Sequence, residues 1–194
     1  RIGLLASLGY AKVRVACKPR VNILPTGDEL VKIDDVLRDG QIRNSTSYAL
    51  ASYIEQAGGE AEILGIVPDK KKKLRKAIKR GVDCHILLIT GGVSVGKYDL
   101  VKDVLESLGV KIKFWRVNIK PGKPLLFVTF GKTLVFGLPG NPASTSVTFL
   151  QFVFPAIEKM SGRIAAAPLR LNAILDQPIT KHDGKRHFVR GVAT

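Results

Sequence analysis

The stretch 87–105, LLITGGVSVGKYDLVKDVL, decides the fold. Leu87 to Thr90 end the apolar run DCHILLIT, which has no polar alternation and predicts a strand buried on both faces of a sheet. Gly91 and Gly92 then remove side chains where the chain must turn sharply. From Leu100 the apolar residues Val101, Val104 and Leu105 recur at helical spacing, with Asp99 at the joint. Strand, glycine turn and helix form half of a βαβ unit, so the flanking sequence should alternate in the same way.

It does. RVNILPTGDEL reads as an apolar strand broken by Pro25 and Gly27. NSTSYALASYIEQAGG reads as a helix capped by Asn44 or Ser45 and closed by Gly58 and Gly59. AEILGIVP is a further strand, and a basic helix follows it. VKIKFWRV, PLLFVTF and TLVFGLP are later strands, the last two joined by the tight turn FGKT into an antiparallel hairpin. NPASTSVTFLQFVFPAIEKMSG is one long final helix ending at Gly162. The expected fold class is α/β, a three-layer α/β/α sandwich around a mostly parallel mixed sheet. Near the start, RIGLLASLGYAK is the end of a helix stopped at Gly9, leading to a strand-like KVRVAC. After Gly162, a linker leads to LRLNAILDQPI and RHFVRGVAT, read as strands of a second unit.

The chain has 194 residues, 45% of them hydrophobic, and a mean hydropathy of +0.12. That supplies a buried core and argues against disorder. No apolar run reaches the roughly 20 residues that span a bilayer. Cys17 and Cys84 stand apart with no pattern of a disulfide framework or zinc site, and a cytoplasmic location is expected. The net charge is +15, and eight of the basic residues fall in KKKKLRKAIKR, residues 70–80. Leu74 and Ile78 give that helix one apolar stripe and a solvated basic face. It carries no aromatics for base stacking, so nucleic acid is not the expected partner. The general excess favours anionic ligands.

Ligands of open α/β sheets bind beyond the carboxyl ends of the strands. Four segments are assigned to such ends: PTGDEL, TGGVSVGKYD, KPGKP and GLPGNPAS. In the second, Gly91, Gly92 and Gly96 let backbone approach a ligand, and Ser94 and the helix-start amides can donate to an oxyanion. Asp99 either caps that helix or holds a Mg²⁺ ion against a phosphate. Lys120 and Lys123, on a loop stiffened by Pro121 and Pro124 around Gly122, are either surface lysines or a compact anion clamp. Pro139, Gly140 and Asn141 form a rigid turn with Pro142 at a helix start; with Ser144 they are a structural turn or a second anion seat. Asp28 and Glu29 cap a turn or touch metal. His85, inside an apolar strand, is expected to be a core histidine with a satisfied partner. His182 and His187 make no catalytic pattern with Ser or Cys. Phe114 and Trp115 pack in or beside the sheet.

LPTGDEL, TGGVSVGKYDLVK, KPGKPLLF and GLPGNPAS, in this order, resemble the molybdopterin molybdenumtransferases, the MoeA proteins and the E domain of gephyrin-like proteins. The resemblance implies a MogA-like domain at 19–162, preceded by the end of another region and a linker at 1–18 and followed by the start of a β-rich C-terminal domain at 163–194. It implies binding of adenylylated molybdopterin, delivery of molybdate to its dithiolene sulfurs, and Mg²⁺-dependent release of AMP. Asp99 would hold the Mg²⁺, with Asp28 a weaker candidate, and Lys120 and Lys123 would hold molybdate with Ser94 donating. Asp28 and the turn from Gly137 to Ser144 would line the cleft. A homodimer and a MogA-like adenylyltransferase are the implied protein partners. Three other readings compete: adenylylation of molybdopterin, disfavoured because the loop reads GGVS and the turn PGNP; a gephyrin-type scaffold; and a nucleic-acid module.

Overall fold

The structure is a computed structural model and describes residues 1–93, 99–163, 171–180 and 183–192. Its elements are α1 (Ile2–Ser7), β1 (Arg20–Pro25), β2 (Leu30–Val31), β3 (Ile42–Arg43), α2 (Ser45–Gln56), β4 (Glu60–Ile63) and α3 (Lys71–Gly81). They continue with β5 (Ile86–Thr90), α4 (Leu100–Ser107), β6 (Ile112–Trp115), β7 (Ile119–Lys120), β8 (Leu126–Phe130) and β9 (Thr133–Leu138). The last are α5 (Pro142–Thr148), α6 (Phe154–Met160) and β10 (Arg186–His187).

The central sheet has the strand order β4-β1-β5-β9-β8-β6. Strands β4, β1, β5 and β9 are parallel; β8 runs antiparallel to β9 and to β6. All five residues of β5 are buried, as its unbroken apolar run requires. Its side chains divide by parity. Ile86 and Leu88 join the core beneath α2, α5 and α6, where Leu50, Ile54, Phe149, Val153 and Ile157 pack. Leu87 and Ile89 join the opposite core, with Leu74 and Ile78 of α3 and Val101, Val104 and Leu105 of α4. Helices therefore cover both faces, which is the three-layer sandwich expected. Each of these side chains contributes roughly 1.5–3 kcal/mol by leaving water.

Local chemistry sets the helix ends. Asn44 accepts from the Ser47 amide at 3.3 Å and opens α2, and Asn141 accepts from the Ala143 and Ser144 amides ahead of Pro142. The final helix departs from a single regular run. Between α5 and α6, Phe149–Val153 form a wider π turn. Pro155 has no N–H for the carbonyl four residues back, and the wide turn lies where that bond is missing.

Several expectations are corrected. KVRVAC forms no strand; residues 12–18 are exposed and pair with no sheet edge. Of LRLNAILDQPI, residues 171–179 are exposed coil, and of RHFVRGVAT only Arg186–His187 pair, with β7. His85 is exposed, because β5 begins one residue later; its Nδ1 accepts from the Arg20 amide at 2.9 Å. KPGKP follows no strand of the central sheet, starting instead at the end of the short β7, and leads into β8. Since β8 is antiparallel, its start at Leu126 lies opposite Gly137 near the end of β9, and the loop reaches the same rim by the other route.

Candidate functional site

That rim collects the carboxyl ends of β1, β5, β9 and β6 and the start of β8. It divides into two parts. Beyond β1, β5 and β9 lies a cleft of about 450 Å³, lined by Thr26, Thr90, Gly91, Gly140 and Asn141 on the sheet side and by Arg43 to Thr46 at the start of α2. Gly91 has φ +83, and a Cβ there would run into the Thr26 carbonyl oxygen; Gly140 comes against the Gly91 Cα. Only glycine at 91 lets its turn meet the Thr26 backbone, whereas a Cβ at 140 would make an ordinary contact of 3.7 Å with the Gly91 Cα. Gly92 is different: a Cβ would press on Val101 and Thr26, so it serves packing against α4. Thr26 donates to Asp69 at 2.7 Å, and Asp28, exposed, accepts from the Asp69 amide at 3.1 Å.

The second part lies at β8 and β6. Ile119 to Pro124 and Lys185 line a pocket of about 300 Å³. The loop is docked firmly: Val117 N–H donates to Lys123 O at 3.0 Å, and a Cβ on Gly122 would stand 2.7 Å from the Thr148 methyl. Lys120 lies 3.8 Å from Asp183. No residue lines both this pocket and the cleft.

Asp99 takes the place of an N-cap. Its Oδ1 accepts from the Lys102 amide at 3.0 Å, and its Oδ2 accepts from the Trp115 indole N–H at 2.7 Å. Asp99 is 5% exposed, and burial pushes its carboxyl above the usual range, opposed by those two hydrogen bonds. Trp115 is held in turn between Lys102, 5.1 Å from its ring, and Arg116 at 4.1 Å. β6 and β8 are neighbours, so Asp99 and the lysine loop share one end of the rim. Asp28 follows β1, and Asp99 opens α4 after β5, the neighbouring strand. Among the described residues no three His, Cys, Asp or Glu side chains are placed to hold a metal.

Of the residues singled out by sequence, the rim holds Gly91, Gly140 and Asn141 in the cleft and Lys120, Gly122 and Lys123 in the pocket. Pro139 is buried and its carbonyl accepts from Thr145; half-buried Ser144 sits between the parts, its amide on Asn141. Ser94, Gly96 and His182 lie outside the described residues. Sequence reasoning missed Thr26, Asp69, the Arg43–Thr46 wall and Lys185. Asp69 follows the strand-ending VP, which was a signal available to it; Lys185 had none, since only tertiary pairing brings it in.

The profile of the family described as "Probable molybdopterin binding domain" matches residues 22–159. A molybdopterin molybdenumtransferase of Nostoc sp. is 45% identical over 165 residues, covering 83% of this chain and 38% of that protein. Gephyrin of Dictyostelium discoideum is 40% identical over 193 residues, covering 83% of this chain and 26% of its own. The solved MoeA molybdopterin biosynthesis protein of Pyrococcus horikosii superimposes with a TM-score of 0.75 at 34% identity, over 83% of this chain and 40% of that one. The chain thus spans less than half the length of these relatives. With both parts of the rim inside or beside the matched span, the chain belongs to the molybdopterin-binding domain family.

Proposed function

We propose that this chain is the substrate-binding domain of a molybdenum-inserting transferase of molybdenum cofactor biosynthesis. In this reading residues 19–162 are the domain itself, and 163–194 open a following β-rich domain. The cleft takes the anionic nucleotide of adenylylated molybdopterin, with the Gly91 and Gly140 turns admitting it close to backbone. The lysine loop takes molybdate, a tetrahedral dianion that matches compact ammonium charges. One observation carries the reading: a single rim holds both a cleft of about 450 Å³ edged by glycine turns and a pocket walled by Lys120 and Lys123.

The carboxylates suit a Mg²⁺ ion that keeps water and phosphate oxygens for most of its shell, since no protein cage is present among the described residues. Asp28, exposed with one oxygen engaged, is open to such an ion; Asp99 reaches one only with its remaining lone pairs. Bound there, the ion would supply charge neutralisation at the phosphoanhydride. The chain's own residues bind and orient: lysines hold the oxyanion, and the buried Asp99 fixes the start of α4 against β6. A homodimer, receipt of substrate from a MogA-like adenylyltransferase, and a cytoplasmic location complete the reading. The transferase reading is supported by the relatives' names.

Calorimetric titration of molybdate and of AMP, each with and without Mg²⁺, tests it. Saturable binding of both to the same chain is expected; absence of both would leave a scaffold as the better account.

A further inference from the structure

The short pair β7 and β10 ties the C-terminal segment to the lysine loop. Arg186 N–H donates to Asn118 O at 3.0 Å, Phe188 N–H to Lys120 O at 2.8 Å, and the Asn118 side-chain Nδ2 to Gly184 O at 2.9 Å. This fastening brings Lys185 to the wall of the pocket formed by Ile119 to Pro124. Asp183 lies among the cations: 2.7 Å from Lys185 Nζ, 3.8 Å from Lys120 Nζ, and 2.6 Å from the His187 ring.

We propose that Lys185 is the third cation of an oxyanion site with Lys120 and Lys123, and that Asp183 is a resident counter-ion which the incoming tetrahedral dianion displaces. The proposal rests on the reading of the lysine loop as an anion clamp. With Asp183 in place the three ammonium groups keep a net charge of two, which attracts a dianion, and once the carboxylate has moved out all three are free to hold it. Three lysines brought together without a counter-ion would repel one another, and Asp183 removes that cost while the ligand is away. Its carboxyl is held well below the usual range by Lys185 first and His187 second, so it stays ionised at neutral pH. An oxyanion offers the lysines the same acceptor chemistry with twice the charge. The contest is local, because the Asp183 side chain is 35% exposed and has solvent to swing into.

Opposite signs make the test. Molybdate, with sulfate as a second dianion, is titrated calorimetrically into the chain and its variants, with thermal melts as the fold control. Lys185→Met is expected to weaken molybdate about tenfold, Lys185→Arg to stay within about twofold, and Asp183→Asn to tighten binding several-fold. A merely structural strap would weaken binding in all three. Weaker binding in Asp183→Asn overturns the counter-ion. Unchanged binding in Lys185→Met with loss in Lys123→Ala overturns the third cation and leaves the clamp standing. Unchanged binding in Lys123→Ala itself removes the clamp. Should Lys185→Met fail to fold, the Arg and Asn variants still decide.

Discussion

Asp99 and Asp183 sit on the same side of the molecule and are opposites. Asp99 is buried and held by neutral donors, an amide and an indole; Asp183 is a surface carboxylate surrounded by Lys120, Lys185 and His187. Burial raises the first carboxyl, and cationic neighbours lower the second. The contrast runs through both parts of the site. The Gly91 turn and the Asp99 cap are built from close packing and neutral hydrogen bonds, so changes there should be felt as stability. The lysine loop is built from exposed charge, so changes there should be felt as ligand affinity.

The largest expected effect is at Gly91. Gly91→Ala combines a positive φ with a clash against the Thr26 backbone and should cost on the order of 3 kcal/mol, read as a lower urea midpoint. A loss below about 0.5 kcal/mol would break the claim that the Gly91 turn needs a bare backbone. Trp115→Phe keeps the ring packing but removes the donor to Asp99, and about 2 kcal/mol should be lost with a buried oxygen left unpaired. By contrast Lys123→Ala should leave stability within about 0.5 kcal/mol while weakening molybdate about tenfold, or about 1.4 kcal/mol.

Acid titration sharpens the same contrast. The folded chain binds the Asp99 proton more tightly than the unfolded chain, so stability from this group is complete below the ordinary value of 3.8 and is lost as pH rises through the raised one. Lys102 and Asp103 are the charged groups facing it. Asp99→Asn should flatten that decline in urea midpoints taken from about pH 4 to about pH 7. Asp183 runs the other way: its contribution is present above the ordinary value and lost as pH falls through the lowered one, so Asp183→Asn should flatten the acid limb. The smallest effect is expected at the exposed Lys71–Asp103 pair, 2.9 Å apart, where Lys71→Ala should change stability by about 0.5 kcal/mol or less and vanish in high salt.

Much of the fold was legible because its signals are local. The unbroken apolar run of β5, the Asn44 and Asn141 caps, and the Gly131–Lys132 hairpin turn each follow from neighbours in the chain. KVRVAC and LRLNAILDQPI look equally strand-like, but a strand requires a partner edge, and the described residues give them none. Asp99 was read as either cap or metal ligand; the cap is observed, and the donor to its second oxygen, the indole of Trp115 sixteen residues away, was not legible from the neighbouring sequence.

Sequence alone determined the α/β class, the turn residues and which lysines are stiffened by proline, because periodicity, caps and backbone permissiveness act within a few residues. Only the tertiary structure decided that the rim has two parts, that the antiparallel β8 delivers its loop to the same edge as β9, and that Lys185 and Asp183 stand beside Lys120. Those juxtapositions come from strand pairing across dozens of residues, where the free energy lies in contacts that no short window of sequence contains.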